Sequence, residues 1–495
     1  MIKIVFLLII AIVLPLLTAC QDISESSSVV EVETSRIGIM AGSIAEVYSE
    51  INYPQAELHL FNNYADSVAA LFGHKLDYAF INYVSAINFI RHNPELEIVP
   101  DVSMDGPIQF AVSMKNPELH RQISEIIDRY MADGTMDEIT SRWIITDGRD
   151  YVTADIPYHE NAPVLRMAIV SSIEPLTFML DGRYAGMDIE LMQRVAYELG
   201  YRIEFLDMQW SGVISALESG RADISLGMYY TQERSERILF TPPYLDDPYV
   251  LVGRKPYAIA DEAVSQSFLE SIITGFERNL IREGRWKLIV EGLQVSLIIS
   301  IFSFALATLL GFAVCGLRMS KNRVLSAIGR LYITVLRGTP IVVLLMIAFY
   351  VIFAGSRISG IAVAVITFGA NGAAFIGEII RSAILTIDKG QVEAARSMGF
   401  SKAGAFFTVT LPQAVRAAFP VYMSEFISLF KMTSVVGYIA IVDLTKAGDI
   451  IRSRTYDAFF PLIMVALVYL IVASVLVWFF NMIYKKTNKR LRRAK

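Results

Sequence analysis

Two hydrophobic rhythms divide this chain. From Arg36 to about residue 255, short apolar runs of strand length alternate with amphipathic helical stretches, a pattern that predicts α/β structure. Arg36-Ile-Gly-Ile-Met40 leads into a turn at Ala41-Gly42-Ser43 and then a helical stretch. Residues 165–170 form a second such run, followed after a loop by a predicted helix over about 188–199. Past residue 286 the apolar runs lengthen. Residues 292–317, 338–356, 358–377 and 458–484 are uncharged runs of 26, 19, 20 and 27 residues. About 20 apolar residues cross a bilayer as a helix. A weaker run over 419–442 contains Glu425 and Lys431, which brings the expected spans to five. An earlier start for the second, near Leu331, would put Arg337 inside it or at its cytoplasmic edge.

Composition agrees with a membrane protein. Of 495 residues, 54% are hydrophobic, above the usual 45–50% of soluble domains, and the length allows two to four domains. A net charge of -5 gives no reason to invoke nucleic acid. Two cysteines, Cys20 and Cys315, and five histidines cannot build a disulfide framework or a Cys-rich metal site. Neither HExxH nor GxxxxGK[ST] occurs, so no zincin motif and no ATP-binding loop is expected in this chain. No cofactor or metal is expected.

At the N-terminus Lys3 precedes an apolar run over 4–17, then Leu17-Thr18-Ala19-Cys20 and polar Gln21-Asp22. This resembles a lipoprotein signal peptide over 1–20 with Cys20 lipidated. An uncleaved anchor and an ordinary cleavage site before a chance Cys are the alternatives. A lipid on Cys20 would tether residues 21 onward outside the membrane. Residues 21–35, rich in Ser and Glu, read as a linker.

Basic residues set the expected topology. Arg318, Lys321, Arg323 and Arg330 lie between spans one and two. Lys389, Arg396, Lys402 and Arg416 lie between three and four, and the tail 486–495 is strongly basic. All three become cytoplasmic if span one enters from outside. Five spans then join an external N-terminal domain to an internal tail, so the expected location is the cytoplasmic membrane, multi-pass.

The loop between spans three and four carries Glu393-Ala394-Ala395-Arg396-Ser397-Met398-Gly399 and, further on, Val409-Thr410-Leu411-Pro412. This resembles the EAA loop of ABC importer permeases, with Val409 as a conservative departure from Ile. Ala394 and Ala395 would let a short helix approach a partner closely, and Gly399 would permit the turn that ends it. The resemblance implies docking on a cytoplasmic ABC ATPase subunit. Arg337-Gly-Thr-Pro340, Glu378-Ile-Ile-Arg381, Glu425-Phe426 and Lys431-Met-Thr-Ser434 resemble the polar amino acid branch of these permeases over about residues 285–485. Ionisable residues within a span are costly and usually functional. Glu425 and Lys431 are therefore expected to line the translocation path, with a structural ion pair or helix-end anchor as the alternative.

The α/β half resembles a type II amino-acid-binding protein with its halves exchanged. Residues 163–255 resemble lobe one through Gly186-Met-Asp-Ile-Glu-Leu191, Trp210-Ser-Gly-Val-Ile-Ser-Ala-Leu217, Gly220-Arg-Ala-Asp223, Gly227-Met-Tyr-Tyr-Thr231-Gln-Glu-Arg234 and Phe240-Thr-Pro-Pro-Tyr244. Residues 36–107 resemble lobe two, and 108–145 resemble the segment that returns to lobe one. A circularly permuted Venus-flytrap domain follows, with the linker 146–162 joining the ancestral ends. The new ends would fall at the hinge near Arg36 and Arg254, cutting one inter-lobe strand and leaving a crossing around residues 100–107. Two degenerate half-domains without a shared cleft are the competing arrangement. The fold class is thus an α/β two-lobed periplasmic-binding-protein-like domain, then a connector over 256–286, then an all-α five-helix transmembrane ABC importer permease over 287–485.

This resemblance implies that Arg234 grips a substrate α-carboxylate with two parallel charge-assisted bonds. Thr231 and backbone amides near Gly227 would complete that pocket, Trp210 would pack on the ligand, and Gly42 and Ser43 would close over it. A solvated helix-start arginine is the alternative for Arg234. Three positions depart from the family: Val170 and Asn82 stand where Asp usually meets the ligand ammonium, and Tyr229 replaces Thr. Glu174 or Asp188 could compensate, although a structural role fits Asp188 better. The expected function is the membrane subunit of an ATP-driven importer of a polar amino acid or related small carboxylate. It is not an enzyme, and it works with a separate ATPase and a second permease copy, most simply as a homodimer. The alternative is a flytrap-type ligand sensor or ligand-gated channel; a flytrap-linked membrane enzyme would need a further catalytic domain.

Overall fold

The computed structural model describes residues 32–144, 151–159, 161–255, 273–354, 356, 358–455, 457 and 460–492. The expected signal peptide, Cys20, the linker through residue 31, residues 145–150 and 160 of the second linker, and 256–272 of the connector lie outside the described residues.

Among the described residues, the α/β half holds fourteen strands. In chain order they are β1 (Arg36–Met40), β2 (Glu57–Phe61), β3 (Tyr78–Asn82), β4 (Leu96–Met104), β5 (Pro107–Ser113), β6 (Val164–Ile169), β7 (Ser172–Ile173), β8 (Thr177–Leu180) and β9 (Arg183–Ala185). After these come β10 (Arg202–Asp207), β11 (Ile224–Tyr229), β12 (Ile238–Phe240), β13 (Leu245–Asp246) and β14 (Tyr249–Arg254). They form two sheets of one design. The first runs β2-β1-β3-β14-β4 and the second β10-β6-β11-β5-β12, with β13 also on β5 and a small sheet β7-β8-β9 alongside. In each large sheet the first three strands are parallel and the fourth is antiparallel. Parallel strands are covered on both faces, so they read as continuous apolar runs: Ile37, Ile39, Ala79, Phe80 and Ile81 are buried, as are Met167, Ala168 and Ile169.

The fourth strand of each sheet comes from the other half of the chain. Two crossings therefore join the lobes, one between Met104 and Pro107 and one between Asp246 and Tyr249. Two expectations need correction here. Strand β14 belongs to the sheet of 36–104 and not to that of 163–246. The chain ends also do not fall at the hinge, and no inter-lobe strand is cut. Ile37 and Gly253 both stand in register with Tyr78, so β1 starts and β14 ends at the same edge, one strand apart. Asn82, at the other end of β3, pairs with Tyr249 beside the crossings. The expectation failed because Tyr249–Arg254 is apolar on both faces, which suits a central strand of either sheet.

The C-terminal half is helical. Among the described residues, three helices are long and apolar enough to cross a membrane: Trp286–Met319, Gly360–Leu385 and Phe460–Lys485. The number rises to five if two bent pairs each count as one span. One pair, Arg323–Gly338 and Ile341–Ile352, bends by 104°. Thr339 between them is extended, as a residue before proline prefers to be. The other pair, Lys402–Ile439 and Leu444–Thr455, bends by 55° after Ala440 in the left-handed region. The helix of the fourth span starts earlier than the sequence suggested, running over Leu411–Met432 with Pro420 inside it. Helices Trp286–Met319 and Gly360–Leu385 cross closely on small residues: a Cβ at Gly377 would lie 2.8 Å from Val314 Cγ1, and one at Gly311 would lie 2.8 Å from Ile376 Cγ2. Small residues let membrane helices approach in this way. Arg318 and Arg381 both hold Glu378, at 2.9 and 2.8 Å.

Candidate functional site

Three places carry chemistry: the inter-lobe cleft, the seat of the lobes on the helical half, and the loop of Glu393 to Pro412.

In the cleft, β11 ends at Tyr229 and the chain turns. Thr231 Oγ1 accepts from Arg234 N at 3.1 Å and starts the short helix Gln232–Ser235, the usual work of an N-cap. This folds Arg234 back, 9% exposed, so that Nη1 donates to Tyr229 O at 2.8 Å and Nη2 donates to Gly42 O at 2.9 Å. Gly42 lies in the other lobe, in a turn with φ +73. Trp210 Nε1 donates to the same carbonyl at 3.2 Å. Ser43 is buried. The structure thus brings Arg234, Trp210, Gly42 and Ser43 together from two lobes. The arrangement of two half-domains with no shared cleft does not hold.

The departures from the family are also resolved. Val170 is buried, and its carbonyl accepts from Thr177 Oγ1. Asn82 Nδ2 donates to Asp247 in the second crossing at 2.6 Å, and Asp247 accepts from Val84 N as well. Tyr229 OH donates to Asp247 O, and its ring packs on Tyr249 with centroids 4.9 Å apart. Burial pushes the Asp247 carboxyl up to about 6. Asp188 is structural: it accepts from Gly227 N at 2.8 Å and Tyr244 OH at 2.6 Å, and burial pushes it up to about 7 because loss of hydration penalises the charged form. Gly227 has no alternative, since a Cβ there would lie 1.9 Å from Tyr244 OH. Glu174 does not compensate for Val170. Its carboxylate is 2.7 Å from Arg454 of the helical half, a partner 280 residues away that no local pattern reveals.

The lobes sit on the helical half through residues the sequence reading passed over. Asp443 caps the helix Leu444–Thr455, accepting from Thr445 N and Lys446 N. Three basic side chains of that helix reach the lobes. Lys446 is 3.1 Å from Asp207 and Arg454 pairs with Glu174, both on the β6 lobe; Arg452 pairs with Asp66 on the β1 lobe. From the β6 lobe, Arg221 donates to the carbonyls of Phe349 and Ile358 and lies over the Phe349 ring at 4.3 Å. Positive charge concentrates on the cytoplasmic side of membrane proteins. Lys446, Arg452 and Arg454 break that rule on the expected outer side, and this was the available signal that they have carboxylate partners.

On the opposite side, the helix Lys389–Ser397 carries Glu393 and Ala394 outward, while Ala395 is buried against the chain. The expected close approach of both alanines to a partner is therefore divided between two surfaces. Gly399 has φ +94 and open space around it, so backbone conformation alone selects glycine. Met398, Phe400 and Phe407 are exposed nearby. Pro412 stands at the start of Leu411–Met432, directly after the π-helical turn Phe406–Thr410. Gln413 bonds Gln391 at 2.6 Å and ties the loop to that helix. Glu425 is half-buried and Lys431 exposed. Six residues apart, they face different sides of the helix and form no ion pair with each other among the described residues.

Comparison with known proteins gives consistent matches for both halves. Residues 165–493 match the family described as bacterial extracellular solute-binding proteins, family 3. The probable amino-acid ABC transporter permease protein YckA of Bacillus subtilis is 35% identical over 199 residues, 40% of this chain and 88% of that protein. The putative glutamine transport system permease protein GlnP of Rickettsia typhi is 32% identical over 200 residues, 40% of this chain and 92% of that protein. Among solved structures, an amino acid ABC transporter with histidines is 31% identical, covering 40% of this chain and 94% of that one, with a TM-score of 0.39.

Proposed function

This chain belongs to the bacterial extracellular solute-binding proteins, family 3, joined to a permease of the amino-acid ABC transporters, and from that premise we propose that it couples an external two-lobed domain to an ATPase inside the cell. The observation that supports this reading is the continuity of one segment. The helix Leu411–Met432 starts at the Glu393–Pro412 loop, and beyond the bend its continuation Leu444–Thr455 holds both lobes. A helix laid in a groove is a standard coupling joint. Motion imposed at Glu393 and Gly399 would thus reach the outer face along one bent but continuous stretch of chain.

In this reading Glu393, Ala394, Gly399, Leu411 and Pro412 dock on a cytoplasmic ABC ATPase subunit. A second permease copy completes the pathway, with a homodimer the simplest assembly. The domain ahead of residue 255 lies outside, tethered by Cys20, and the tail 486–495 lies inside. Glu425 lines the route. The relatives' names point to an amino acid as the solute; in this reading it is a polar amino acid or related small carboxylate, and this chain itself catalyses no covalent chemistry. The domains divide as a two-lobed unit over 36–255, circularly permuted, and a permease over 287–485.

The test is uptake of labelled glutamine, histidine and cystine by cells producing the chain with its ATPase. Glu393→Lys and Gly399→Asp should abolish uptake at unchanged membrane abundance. Uptake at the wild-type rate in both variants would overturn the coupling assignment.

A further inference from the structure

The groups that would greet a ligand in the cleft are already bonded to the protein. Arg234 spends its guanidinium on Tyr229 O and Gly42 O; Trp210 Nε1 also goes to Gly42 O. Asn82 donates to Asp247 and Tyr229 to the Asp247 carbonyl, while the Gly227 amide is held by Asp188. A carboxylate entering this space would have to displace a backbone carbonyl of the opposite lobe from Arg234. An ammonium group would meet Val170 and a carboxamide in place of two acids. Aromatic rings take up the room between: Tyr229 lies against Tyr249, Tyr249 is bonded to Tyr64, and a Cβ at Gly106 would lie 2.8 Å from the Tyr229 ring.

Further bonds cross the cleft at its other edge. Ser85 Oγ donates to Glu174 O at 3.0 Å, and Asn88 Nδ2 donates to Tyr151 OH at 3.3 Å. The helix Leu444–Thr455 then fastens the lobes from outside, Arg452 to Asp66 on one and Arg454 and Lys446 to Glu174 and Asp207 on the other. Hinge opening would have to break contacts at both edges of the cleft and an ion pair of the helix Leu444–Thr455, such as Arg452–Asp66, in which Arg452 is buried. Parting that pair is costly because Arg452 sits in a poorly solvated site and keeps only the longer contact to Asp449, at 3.4 Å, among those described.

We propose that this domain is a self-closed cap. It holds its lobes together without a ligand, takes no amino acid between them, and presents a permanently closed face to its own permease, so that choice of solute resides in the membrane half. This goes beyond the importer reading and uses it only for the last consequence.

The test uses the full chain in lipid nanodiscs with spin labels on Glu50→Cys and Asp128→Cys, one exposed position on each lobe. The distance distribution should be narrow without ligand and unchanged by saturating glutamine, glutamate, histidine, arginine or cystine. Arg234→Ala combined with Asp66→Asn should broaden it toward longer distances. A shift on adding any of these amino acids would overturn the proposal, as would an unbroadened distribution in the double variant. Neither outcome depends on uptake, so the cap can fail while the importer reading stands, and loss of the importer reading leaves the lobe distances to be judged on their own.

Discussion

Lys446→Met removes a cation from a pair in which Lys446 is 6% and Asp207 1% exposed, 3.1 Å apart. Met keeps most of the aliphatic volume, so the change is chiefly one of charge. Breaking one partner of a buried pair costs about 3–5 kcal/mol. Asp207 keeps the Ser171 N–H and O–H as donors, which places the expected loss near the lower end. About 3 kcal/mol corresponds to roughly a hundredfold in the opening equilibrium of the seat, at about 1.4 kcal/mol per factor of ten. Hydrogen exchange on the full chain in nanodiscs reads this at the amides of β7 and β8, which pack on the helix Leu444–Thr455. Protection there should fall about a hundredfold in Lys446→Met and largely return in Lys446→Met/Asp207→Asn, where no charge is stranded. A change below about threefold in the single variant, or a double variant as exposed as the single, would refute the reasoning.

Three other outcomes follow from local geometry. Asp188, raised from the ordinary carboxyl value of 3.8 to about 7, binds its proton more tightly in the folded domain. It should therefore stabilise the fold below the ordinary carboxyl range and lose that contribution as pH rises through about 7, by up to about 4 kcal/mol; thermal unfolding of Asp188→Asn across pH 4 to 8 should lack this slope. Gly227→Ala should destabilise the domain by about 2 kcal/mol or more, because its Cβ meets Tyr244 OH and expels the donor from Asp188; differential scanning fluorimetry checks it. Gly377→Val should cost about 1–3 kcal/mol through overpacking against Val314 and the Gly311 carbonyl, seen as a lower unfolding temperature in detergent.

Much of the architecture is legible in the amino-acid order because it rests on local periodicity. The buried parallel strands at 36–40 and 164–169, the long apolar helices, and the glycine of the Glu393–Pro412 loop all follow from near-neighbour physics. Strand β14 was misplaced because an apolar strand carries no mark of which sheet it joins. Glu174 was misread because its partner, Arg454, is distant in sequence, and the cleft's closure rests on a backbone carbonyl, Gly42 O, which no side-chain pattern announces. The helix Leu444–Thr455 that holds the lobes is hidden for a different reason: it lies between two spans and is too polar to count as one. Its three cations carry the signal once the expected topology puts them outside.

The measurement that bears most directly on the central claim is site-specific photo-crosslinking from Met398, which is 79% exposed on the Glu393–Pro412 loop. With a photoreactive phenylalanine analogue at that position in cells, the account predicts one dominant adduct, identified by mass spectrometry as a protein bearing a GxxxxGK[ST] nucleotide loop and weakened by Gly399→Asp. An adduct with a protein lacking any nucleotide-binding motif, in the absence of an ATPase adduct, would contradict it.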